Sequence, residues 1–111
     1  MKTESTANDP ASKPKIDADW LRDLARRSGA DDAGLVDISR AELDDQREDL
    51  MSVYPWARTL LSIVVRTNRE PIRNTARSVA NLEFHAAGHD VDAVGRKVAR
   101  ALEDRGIKAV N

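Results

Sequence analysis

YPWARTLLSIVVRTNREPIRNTARSVANLEFH, residues 54–85, decides how this chain folds. It opens on a helix breaker, because the residue before a proline avoids the α region, and here that residue is Tyr54. Residues 59–66 (TLLSIVVR) follow as a near-continuous apolar run, with Leu60, Leu61, Ile63, Val64 and Val65. A β-branched run of this kind predicts a strand covered on both faces, central in its sheet. A loop over 67–74 contains Pro71, and Asn74 or Thr75 is placed to cap the next helix. Ala80, Phe84, Ala87, Val91, Val94, Val98, Ala101 and Leu102 then advance by threes and fours straight through Gly88. A broken helix would reset that phase. One helix is therefore predicted over 76–104, on the order of 40 Å long. Gly88 and Gly95 lie beside its stripe and predict close approach of another element.

Working outward, Trp20, Leu21, Leu24 and Ala25 make one face of a helix over 17–28, capped by Asp17 or Asp19 and stopped by Gly29. Residues 32–38 (DAGLVDI) carry apolar side chains in both phases and read as a second strand covered on both sides. Ser39 with Glu42 has the spacing of a capping box, opening a helix over 40–51. That helix holds Glu42, Asp44, Asp45, Glu48 and Asp49 against Arg40 and Arg47. It is either a solvated surface helix or an acidic surface that docks on something basic. After Gly106, residues 107–110 start a third strand. The sum is an α/β domain over 16–111 with a small incomplete sheet of about three strands (32–38, 59–66, 107–110), preceded by a disordered polar tail over 1–15. A last strand without a turn or tail after it reads as a domain that is truncated or completed by a partner. Trp20, Trp56 and Phe84 are expected in the core.

With 111 residues and a formal charge of −1, the chain holds one small domain, and near-neutrality argues against a dedicated DNA-binding module. It has no cysteine, which excludes disulfides, zinc-thiolate sites and iron–sulfur ligation within the chain. No apolar run approaches the ~20 residues of a membrane span, and no signal peptide is present, so a cytoplasmic protein is expected. P-loop, G-x-G-x-x-G, H-E-x-x-H and nucleophile-elbow patterns are all missing.

Charge supplies the first candidate site. Arg58, Arg66, Arg69, Arg73 and Arg77 face a single acid, Glu70, across 58–77. Arg66 and Arg69 fall at the C-terminal end of the strand or just past it, where open α/β sheets bind ligands. Guanidinium groups bind phosphate and carboxylate bidentately, and a helix N-terminus beside them also favours an anion. The competing reading pairs these arginines with the acidic helix 40–51. His85, His89 and Asp92 share one helix face, an arrangement able to ligate zinc or iron. A third histidine is missing, so no metal site is assigned, and His85 is read as structural or ligand-contacting.

Taken together, Val65-Arg66-Thr67-Asn68, then Glu83-Phe84-His85, then residues 102–107 (LEDRGI), with ARRSGADDAGLVDIS upstream, resemble the N-terminal region of the epoxyqueuosine reductase-like and reductive dehalogenase-like proteins. The resemblance covers about residues 17–111. It implies a nitroreductase-like half-domain from a cobalamin-dependent reductase that also carries two 4Fe-4S clusters, in which electrons pass from clusters to cobalt. It implies that Arg66, Asn68, Arg69, Arg73 and His85 line the cofactor or substrate cavity. Without cysteine this chain holds no cluster; it would supply one wall of the site and not catalyse alone, with the remainder of the enzyme or a partner chain supplying the rest. Arg69 stands where a tyrosine would follow the Arg-x-Asn segment. A tRNA or an anionic small molecule is the implied binding partner. The alternative is a small non-catalytic α/β module that binds an anionic partner, or self-associates through a sheet edge.

Overall fold

The computed structural model describes residues 16–111; the tail expected over 1–15 lies outside the described residues. Helix α1 (Ala18–Arg27) begins where Asp17 accepts a hydrogen bond from the Asp19 amide, and Leu21, Leu24 and Ala25 on one face are buried. Gly29, at φ 119°, ends it in a conformation that side chains resist. Strand β1 (Asp32–Asp37) pairs antiparallel with β2 (Thr59–Val64), from Asp32 opposite Val64 to Asp37 opposite Thr59. The protein is thus α/β with a small two-stranded antiparallel sheet, rather than a sheet with a central, doubly covered strand. Ala33, Leu35, Leu61 and Ile63 face the core. Val36 and Leu60 on the other face are only half-buried, and Val64 is 52% exposed. The apolar run was correctly a strand. Its second apolar face, however, has no layer upon it among the described residues.

The connection between the strands holds the acidic helix. The expected capping box does not form: Ser39 instead donates from both its amide and its hydroxyl to Asp37, at 2.8 and 2.6 Å. A short 3-10 turn (Ala41–Leu43) then leads into α2 (Asp44–Val53), so the helix is shifted toward the C-terminus. Arg47 anchors α2 by donating to the carbonyls of Ile38 and Arg40. Tyr54 leaves the helix at φ −126°, ψ 70°, as its place before Pro55 demands.

The expected loop over 67–74 contains a five-residue helix, α3 (Arg69–Arg73). Pro71 fits there because first-turn amides have no helical acceptor to lose. Asn74 accepts from the Ala76 amide at 2.8 Å and turns the chain into α4 (Arg77–Asp104), although Ala76 itself holds the cap position. The 28 residues of α4 run unbroken through Gly88. Gly95 meets the close approach predicted for it, because a Cβ there would lie 3.1 Å from Asn111 Cβ; Gly88 has nothing within 4 Å. Gly106, at φ 78°, reverses the chain. Residues 107–110, expected as a third strand, have no ladder partner among the described residues. They keep a strand's alternation even so: Ile107 and Ala109 pack on the core while Lys108 and Val110 face outward.

The core is thin. Leu21, Leu24, Ala25, Ala30, Ala33, Val94, Val98 and Leu102 form it, between α1, the inner sheet face and the C-terminal part of α4. Trp20 is half-buried at its margin under the Arg105 guanidinium, 4.3 Å from the ring centre, and half-buried Trp56 carries the Lys108 ammonium at 5.0 Å. Phe84 lies on the core-facing stripe of α4 yet is 67% exposed, because the N-terminal part of the helix runs beyond the elements that would cover it. The extents are 59 × 31 × 19 Å and the radius of gyration 17.1 Å, against about 13 Å for a compact domain of ~100 residues. No helix among the described residues is long and apolar enough to cross a membrane.

Candidate functional site, an arginine edge at one end of the sheet

Two carboxylates shape the end of the sheet at which β2 finishes. The Asp31 amide donates to the Val64 carbonyl at 2.8 Å, and the Asp31 carboxylate accepts from the Arg66 amide at 2.6 Å. Glu83 on α4 accepts from the Asn68 amide at 2.8 Å and from the Asn68 side chain at 3.5 Å. These bonds hold the strand exit against α1's neighbour loop and against α4. Helix α3 packs beside the first turns of α4, and Arg66, Arg69, Arg73 and Arg77, all exposed, follow one another from the strand exit through α3 to the first residue of α4; this stretch is the arginine corner. Neither Asp31 nor Glu83 stands out in the sequence as a site residue. Glu83 lies fifteen residues from Asn68, a separation that obeys no helical or strand period.

Arg58 does not join them. It precedes β2, and its carbonyl accepts from the Ile38 amide at the far end of the ladder. The two ends are about 17 Å apart, at ~3.4 Å per residue. The five-arginine cluster of the sequence therefore divides into four and one. Among the described residues Arg69 and Arg73 pair with Glu70, at 3.8 and 4.0 Å, and these exposed pairs hold them weakly. Asp44, on the acidic helix, is paired locally with Arg47 at 2.6 Å. No ion pair joins the acidic helix to the arginine corner among the described residues.

His85 sits two residues past Glu83, which on a helix is nearly the opposite side. Its ring packs edge-to-face with Phe84, centroids 5.9 Å apart. Arg66, Asn68, Arg69 and Arg73 thus lie in sequence along the strand exit and α3, with Asn68 held by Glu83, while His85 lies on another face of α4. His89 and Asp92 share that outward face with His85, away from Ala87, Val94 and Val98. No set of three His, Asp or Glu side chains is gathered tightly enough to hold a metal ion among the described residues.

Asp32 and Asp37 occupy the two ends of β1. The Ala33 amide, with the Arg26 guanidinium at 3.1 Å, holds the Asp32 carboxyl below its ordinary value. The Ser39 hydroxyl and amide do the same for Asp37. Both are turn-forming acids with partners already engaged, not poised acids or bases.

A corrin needs a broad, mostly apolar bed. The arginine corner is charged and open to solvent, so these residues alone do not form one. A shallow open depression lies elsewhere, between Arg96, Arg100 and Glu103 of α4 and residues 109–111. What the corner can do by itself is present several guanidinium groups to an anion. No family model matches the chain, and no curated protein or solved structure matches it either.

Proposed function

We propose that this chain is an α/β half-unit of a reductase of the epoxyqueuosine reductase-like or reductive dehalogenase-like kind, presenting the arginine edge as one wall of a site that other polypeptide completes. The carrying observation is the sheet: Val36, Leu60 and Val64 give it a second apolar face with no layer upon it among the described residues, half-buried at Val36 and Leu60 and exposed at Val64, where it ends beside the arginine corner. In this reading further strands and a second layer complete a nitroreductase-like domain. Residues 107–110 add to the free edge of β2, near which Lys108 already rests on Trp56. The corrinoid and the 4Fe-4S clusters belong to the remainder of the enzyme, since this chain has no thiolate for a cluster. Arg66, Asn68, Arg69 and Arg73 bind and orient an anionic group of cofactor or substrate; His85 takes no part in that wall. The test is expression of the complete reading frame, followed by corrinoid absorbance and iron analysis. Corrinoid and iron in that product, with neither in residues 1–111 alone, is the expected result. A complete product that binds neither would sink the reading.

A second reading, an anion- or self-binding module without catalysis, is favoured by one fact: the arginine corner finds no carboxylate of the acidic helix within its own molecule. A cooperative thermal melt of residues 1–111 supports it, and a molten chain counts against it.

A further inference from the structure

We infer that the arginine corner and the acidic helix are the two halves of one interface, and that the partner is a second copy of this chain, docked antiparallel so that each corner meets the other copy's α2. Three observations lead there. First, the charges are complementary and exposed. Asp44, Glu48, Asp45 and Asp49 fall within about 140° of arc on α2, opposite the side that carries Leu50. The corner carries the exposed guanidinium groups of Arg66, Arg69, Arg73 and Arg77; of its three carboxylates, Asp31 and Glu83 are engaged by the Arg66 amide and by Asn68, which leaves Glu70 beside the arginines. Secondly, the sheet separates them: α2 sits where Asp37 opposes Thr59, and the corner where Asp32 opposes Val64. One molecule cannot bring its own halves together across that ladder, whereas two antiparallel copies satisfy both contacts at once by an isologous two-fold arrangement. Thirdly, each surface has exposed apolar side chains to bury. Val53 (64% exposed) and Tyr54 stand at the end of α2, while Ile72 is exposed on α3 between Arg69 and Arg73. Apolar centres rimmed by opposite charge are the ordinary composition of a specific interface.

The contact does not depend on the reductase reading, because a dimer forms or fails whether or not the chain belongs to a redox enzyme. Its test is a charge swap followed by sedimentation at low ionic strength. The unsubstituted chain should run as two copies and shift toward one as salt is raised. R69E/R73E alone and E48K/D49K alone should each run as single chains, since each then faces like charge across both contacts. Mixed, they should restore a complex of two, because every contact in the mixed pair is again attractive. Recovery in the mixture also shows that neither variant failed by misfolding. A single chain at low salt before any substitution would overturn the inference. So would a variant that stays paired alone, or a mixture that fails to pair while both variants keep the parent's circular dichroism.

Discussion

Asp37 shows how much of a single residue's role follows from its neighbours. Its carboxylate takes two hydrogen bonds from Ser39, which favour the ionised form in the folded chain. The folded value is lowered, so the stabilisation is fully present above the ordinary carboxylate range and disappears as pH falls through the lowered value. Asp32 behaves alike through the Ala33 amide and Arg26. Replacing either by Asn should lower the urea midpoint at neutral pH and flatten its fall in acid; an unchanged acid limb would refute the assignment. Ser39 and Glu42 looked like a capping box because spacing alone is visible in a sequence. The closer acceptor, Asp37, won the serine. The two glycines also separate cleanly. Gly29→Ala forces a side chain into φ 119° and toward Val94 Cγ2 at 3.2 Å, and should cost on the order of 1–2 kcal/mol. Gly88→Ala meets open space within a helix and should add about 0.5–1 kcal/mol to stability, read from denaturant melts.

Helices α1 and α4 were legible because their periodicity is long, and one face stays in phase over several turns. The strands were legible as strands, but not their neighbours. A two-faced apolar run announces that both faces can be covered, and only the fold decides which ones are. That is why β2 was expected at the centre of a sheet and lies at an edge. Phe84 is the same lesson on a helix: its phase is correct for the core, and its height along α4 puts it beyond the core. Leu102→Ala and Phe84→Ala should therefore part company. The first removes a buried anchor, at about 2–5 kcal/mol. The second should move the folding free energy of the isolated chain by less than about 0.5 kcal/mol. Equal losses would mean that Phe84 is covered in solution.

For the molecule as a whole, the arginine edge was half visible in advance. Arg66, Asn68, Arg69 and Arg73 stay neighbours along the chain, because the exit of β2 leads directly into the short helix α3. Arg58, counted with the other arginines by charge alone, lies at the other end of β2, and His85 lies on another side of α4, because closeness in sequence says nothing about which end of a strand or which side of a helix a residue takes. Arg66, Arg69 and Arg73 belong both to the proposed ligand wall and to the proposed interface, so the two uses exclude one another. An inorganic polyphosphate should loosen the pair of chains more than chloride of equal ionic strength does, as sedimentation would show. Equal effects would place the anion-binding groups elsewhere.

The uneven support of α4 also has a consequence in time. Its buried residues begin only at Ala87 and end at Leu102, so the turns from Arg77 to Phe84 have the short helix α3 and the Glu83 contact beside them but no buried anchor. Local opening free energy should rise along the helix. Amide exchange followed by mass spectrometry should therefore be fast at the α3 end and slowest near Val94 and Val98, grading within one continuous helix. A polypeptide bound over Phe84 would slow the fast end and leave the already protected end as it was.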